Sequence, residues 1–226
     1  MASRGLRLWS SLSGLAFVVL AVVGSVLLFD GPSDSSPAKM AAWYGSGSNR
    51  THINFGWLLT GLGLFALIWF VAVLRERIHS SELTAPEEGT FLSTVVLVGG
   101  TAYVAVAMAG IALAAGVKTM SDDTYHHEVY SGVIHAANDA TYIMVVTGGA
   151  AMATLILATS IAVRRYGILP SWVGWFGYVA GVAAILSIAF FPMLLWLLWI
   201  AVASTMLFLA VRSGAAAPRA APAPTS

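Results

Sequence analysis

The densest group of residues able to do chemistry lies between Tyr125 and Asp139 and includes His126, His127, Glu128, Ser131, His135, Asn138 and Asp139. If this stretch is helical from Glu128 onward, positions three and four apart share a face. Glu128, Ser131, His135, Asp139 and Tyr142 then line one stripe. His135 and Asp139 stand four apart, a spacing at which a carboxylate can orient an imidazole. Two chemistries fit. One is acid–base catalysis, with His135, Asp139 and Glu128 as the catalytic candidates. The other is a metal site, with His127, His135 and Asp139 as ligands. The spacing matches no strict ligand signature. A plainer role accounts for part of the cluster: Asn138 or Asp139 is expected to cap the helix that follows, because both residue types favour helix N-termini and a carboxylate suits that end of the dipole. Capping is the preferred reading.

The elements that would position this cluster are membrane spans. The chain of 226 residues is 58% hydrophobic and 9% charged, with mean hydropathy +0.83. Soluble domains carry about 25% charged residues, and a soluble fold of this size has no means of hiding so much apolar surface. A span needs about 20 mostly apolar residues to cross ~30 Å of hydrocarbon. Six segments qualify: Trp9–Phe29, Phe55–Leu74, Phe91–Val117, Ala140–Val163, Ser171–Phe190 and Met193–Val211. The last two form one apolar run, which is split at Phe191-Pro192 into a tight hairpin because proline removes an amide donor and disfavours helix in the residue before it. The first segment is longer than the roughly 7–15 apolar residues of a secretory signal and has no Ala-x-Ala-like site, so it reads as a retained helix. The expected fold is an all-α six-helix transmembrane bundle over residues 1–213, followed by an Ala/Pro-rich tail over 214–226 with little to pack.

Orientation follows from the basic residues. With six spans, Arg4, Arg7, Arg75, Arg77, Arg164, Arg165, Arg212 and Arg219 fall on one side, while Lys39, Arg50 and Lys118 fall on the other. The first side is expected to be cytoplasmic, which places both termini inside and the polar stretch from His126 to Asp139 outside. The expected location is a bacterial inner membrane. Net charge is +1 and no basic run carries interleaved aromatics, so nucleic acid is not an expected partner. Cysteine is absent, which excludes disulfides and thiolate chemistry.

The middles of the spans carry no Asp, Glu, Lys, Arg or His. Intramembrane ionisable groups mark proton relays, ion paths and counter-ions, so neither a retinal Schiff base, a bis-His haem nor a proton-coupled pump is expected, and no cofactor is. Hydroxyls such as Thr60, Thr94, Thr101, Tyr103, Thr147, Thr154 and Ser187 could line a weakly polar path, although Ser and Thr in such helices more often bond their own backbone. Gly174, Gly177 and Gly181 let a neighbouring helix approach closely, and are expected to serve packing inside the bundle in preference to a dimer face. Trp172, Trp175, Trp196 and Trp199 read as interfacial or lipid-facing anchors.

The turn Arg165-Tyr166-Gly167-Ile168-Leu169-Pro170-Ser171-Trp172-Val173-Gly174-Trp175-Phe176-Gly177 resembles the R-x-G-x-L-P-x-W-x-G-W-x-G inner turn of uncharacterised, polytopic six-span membrane proteins common in high-GC actinobacteria. Ala41-Ala42-Trp43-Tyr44 is similar to a second recurrent feature of that group. The resemblance implies an architecture and no activity. Three functions remain open. The first is a non-enzymatic bundle that binds lipid or another apolar molecule, or serves as an accessory subunit of a membrane complex; its partners would be membrane lipids and a second membrane protein or another copy. The second is a small transporter or channel with hydroxyls lining a path between the third, fourth and fifth spans. The third is a membrane enzyme with an outward-facing site at Glu128, His135 and Asp139.

Overall fold

A computed structural model of the chain describes residues 4–32, 36–84, 89–118, 131–187 and 190–213. It is all-helical, with no strand among the described residues. The helices are α1 (Arg4–Ser11), α2 (Ser13–Leu28), α3 (Pro37–Gly45), α4 (Gly47–Glu82), α5 (Phe91–Lys118), α6 (Ser131–Tyr166), α7 (Ser171–Ile185) and α8 (Phe190–Arg212). Four of them, α4, α5, α6 and α8, are long and apolar enough to cross a membrane. The apolar helices α2 and α7 are shorter, at 16 and 15 residues.

Several helices run past the limits that hydropathy suggests. α4 has 36 residues and continues through Arg75, Glu76 and Arg77 to Glu82. Hydropathy detects the apolar part of a helix and is blind to polar helix formers that extend it beyond the hydrocarbon. α7 ends at Ile185 and α8 begins at Phe190, so the break between the last two helices lies ahead of the expected one at Phe191-Pro192. Pro192 sits in the first turn of α8, where its missing amide would have had no helical partner in any case.

The six apolar helices are antiparallel neighbours in a closed ring. α2 packs on α4, α4 on α5, α5 on α6, α6 on α7 and α7 on α8, and α8 returns to α2. Small residues allow the close contacts. A Cβ at Gly56 would press on the backbone of Leu28, and one at Gly99 on the backbone of Ala151 and Leu155. On α7, Gly174 faces Val163 and Arg164, Gly177 faces Ser160 and Trp199, and Gly181 faces Leu157. These three glycines therefore pack within the bundle, against α6 and α8.

The centre of the ring is filled by aromatic side chains. Trp196 of α8 stacks at 6.5 Å on Phe17 of α2 and meets Tyr103 of α5 edge-on at 5.6 Å. Trp196 and Trp199 are 2% and 0% exposed, which corrects their expected role as lipid-facing anchors. Their indole N–H groups explain how they can be buried: Trp196 donates to Ser187 Oγ at 3.3 Å and Trp199 to the Val173 carbonyl at 3.1 Å. Trp172 and Trp175 are exposed, at 50% and 59%.

One end of the ring is closed by α3. Met40 and Tyr44, one turn apart, insert among Leu28, Ile53, Ala114, Ala115 and Ile134, and this burial raises the Tyr44 phenol above its ordinary range. The last carbonyls of α3 are bonded from α4, by Asn49 Nδ2 to Trp43 at 2.9 Å and Arg50 Nη1 to Gly45 at 3.0 Å. The opposite end carries the α6–α7 turn, where Gly167 adopts φ 62° just past the end of α6.

Candidate functional site

Among the described residues, the polar stretch on α6 brings no two of its ionisable side chains into contact. His126, His127 and Glu128 lie outside the described residues. α6 is already helical at Ser131, so Asn138 and Asp139 sit about two turns inside it. The expected N-cap at these residues is thereby corrected: the helix starts before the apolar run does. His135 is half-buried and Asp139 exposed, and no hydrogen bond or ion pair joins them. Asn138 is half-buried, and its buried Oδ1 has no hydrogen-bond partner among the described residues. No group of three or more potential metal ligands occurs among the described residues.

The hydroxyls of the apolar helices are largely bonded to their own backbone. Thr60 donates to Gly56, Thr101 to Leu97, Thr147 to Ile143, Thr154 to Ala150 and Ser187 to Ala183. Thr94, Thr101, Thr147 and Thr154 are also exposed on the outside of the ring. They do not line its interior, and the Phe17–Trp196–Tyr103 stack occupies its centre.

One concave feature among the described residues is a shallow groove of about 620 Å³ between α4 and α5, toward the end closed by α3. Asn54, Phe55, Trp57 and Leu58 of α4 form one wall, and Ala112, Ala115 and Gly116 of α5 form the floor. The α5 residues that line it are small, and a Cβ at Gly116 would meet nothing within 4 Å among the described residues. Phe55, Trp57 and Leu58 are 56%, 41% and 42% exposed and line the groove with them. Asn54 supplies the polar group. Its Oδ1 accepts from Trp57 Nε1 at 3.3 Å, and its Nδ2 makes no hydrogen bond among the described residues. An apolar trough with one outward amide donor suits a chain or ring system that ends in a carbonyl or ester oxygen.

In the sequence these groove residues are inconspicuous. Asn54 and Phe55 straddle the loop–span boundary, and Ala112, Ala115 and Gly116 look like ordinary packing residues. The signal that could reveal them is an aromatic wall on one helix facing small residues on its neighbour, which requires knowing that α4 and α5 pack side by side. Comparison of the chain with protein-family models, with curated proteins and with solved structures gives no match.

Proposed function

We propose that this chain is a non-enzymatic, six-span protein of a bacterial inner membrane, with both termini cytoplasmic, that binds a lipid or similar apolar molecule in the α4–α5 groove. The observation that carries the reading is the groove itself, with its aromatic wall, small-residue floor and Asn54 amide. The six-span reading is supported by the ring: α2 lies along α4 from Phe70 to Gly56, and α7 lies along α6 from Arg164 to Gly149, so both share the depth of the longer helices. On the inner-turn motif alone, the chain groups with the actinobacterial polytopic proteins it resembles.

The test is native mass spectrometry of the detergent-purified protein, with Gly116→Leu as the groove-filling variant. The wild type is expected to retain a lipid-sized adduct, and the variant to lose most of it while eluting as the same folded species. A wild-type monomer that retains neither lipid nor partner would sink the proposal. A protein-sized adduct in its place would identify the chain as an accessory subunit of a membrane complex.

A further inference from the structure

Arg164, the penultimate basic residue of α6, is held in a fixed pose across the first turn of α7. Its guanidinium carbon lies 4.8 Å from the Trp175 ring centroid, and its Nη1 donates to Ser171 Oγ. A Cβ at Gly174 would come within 3.0 Å of Arg164 Cγ and 3.1 Å of Cδ, so the absence of a side chain at 174 is what lets the arginine lie flat. The side chain is nonetheless exposed, as is that of Arg165 beside it. Guanidinium carries five N–H donors in a planar fork that matches a phosphate. Ser171 takes one of them.

Below this charge the outward face of α7 changes character in order. Trp172 and Trp175 come first, 50% and 59% exposed, with Tyr178 edge-on to Trp175 at 5.7 Å. Val179, Val182 and Ile185 follow, 58%, 54% and 56% exposed. From Ser171 to Val182 the helix rises about 16 Å, close to the ~15 Å hydrocarbon depth of one leaflet. Phosphate donor, interfacial aromatics and aliphatic surface thus follow the order of headgroup, glycerol and acyl chain. The charge is unopposed nearby in sequence, since no Asp or Glu occurs after Asp139.

We infer that the α6–α7 turn binds an anionic phospholipid of the adjacent leaflet, with Arg164 on its phosphate, Trp172 and Trp175 at its glycerol level, and Val179 and Val182 along its chains. The site rests on the reading of α7 as a membrane span; it lies at the opposite end of the ring from the α4–α5 groove and does not depend on what that groove holds.

The test uses the full-length chain in vesicles containing brominated phosphatidylglycerol or brominated phosphatidylcholine with the same acyl chains, and reads quenching of tryptophan fluorescence. Phosphatidylglycerol is expected to be preferred about fivefold at this site, from roughly one basic residue's attraction to an anionic lipid. Trp175→Phe should diminish the phosphatidylglycerol-specific part of the quenching, leaving the share that Trp172 contributes. Arg164→Gln should abolish the preference, Arg164→Lys should keep part of it, and Arg165→Gln should keep most. Equal quenching by the two lipids in the wild type overturns the proposal, as does an undiminished preference in either Arg164→Gln or Trp175→Phe. Displacement of the preference by millimolar inorganic phosphate would also overturn it, assigning the turn to a soluble anion.

Discussion

Ser204 shows how much one hydroxyl can do where water is absent. Its Oγ donates to the Ser11 carbonyl at 2.6 Å and accepts from the Leu15 amide at 3.0 Å. Residues 11 and 15 are an i, i−4 pair that would otherwise bond directly in a continuous helix. The serine of α8 has been inserted into that rung, and the chain turns at Leu12 between α1 and α2. Ser204→Ala is therefore expected to let the rung close, straightening the junction and loosening α1 from α8. The loss should be about 1 kcal/mol, the net value of an intramolecular hydrogen bond, because the two backbone groups can still satisfy each other. Melting temperature in detergent and amide exchange over residues 11–16 measure it. If both are unchanged in the variant, the inserted hydroxyl is not what holds the bend.

At the scale of elements, Glu82 ties the end of α4 to the start of α5. Its carboxylate is buried, and Oε1 accepts from the amides of Leu92 and Ser93 at 2.7 and 3.2 Å, which are two of the amide groups a helix start leaves without a partner. The cap thus comes from the preceding helix. Glu82→Ala should cost about 1 kcal/mol, in the range of lost N-caps, and should speed amide exchange at Leu92 and Ser93. Glu82→Gln keeps an acceptor at the Oε1 position and alters only Oε2, which has no hydrogen-bond partner among the described residues, so it should exchange like the wild type. Equal exchange in the alanine variant would exclude the capping role. This contact also marks where sequence legibility stops. The apolar runs that became the ring helices were readable because lipid demands long apolar segments. Glu82 lies beyond the apolar segment Phe55–Leu74, and nothing in hydropathy shows a helix continuing to it through Arg75 and Glu76. Trp196 and Trp199 were misplaced for a related reason: α8 is apolar on every side, so its pattern carries no phase to tell core from lipid. On α6, the residues expected to cap a helix lie within it, since polar residues can be helical outside hydrocarbon. The groove was not legible at all, because it depends on which helices are neighbours.

For the whole molecule, the ring makes one claim about sidedness that the chain is well suited to test. If all six apolar helices cross the membrane, the ends of the ring alternate along the chain. With the Arg-rich end cytoplasmic, as proposed, Ser46 and Gly132 then lie on the outer face, and Leu83, Gly167 and Ser213 lie on the cytoplasmic face. The basic residues support this assignment, since Arg75, Arg77, Arg164, Arg165 and Arg212 gather at the second end. A four-span arrangement, with α2 and α7 lying outside the hydrocarbon, breaks the alternation and moves some of these positions across the membrane. It would also expose to water Val19, Val22, Val23 and Val26 of α2 and Val179, Val182 and Ile185 of α7, all of which are outward-facing, and it would do so at about 25 cal/mol for each Å² of apolar surface. The chain contains no cysteine, so single cysteines at 46, 83, 132, 167 and 213 can be placed without background. In intact cells a membrane-impermeant maleimide should label positions 46 and 132 and spare 83, 167 and 213 until the membrane is opened. Labelling of 167 together with 132 in intact cells would show that the six-span reading fails at α6, and labelling of 213 would show that it fails at α7 or α8.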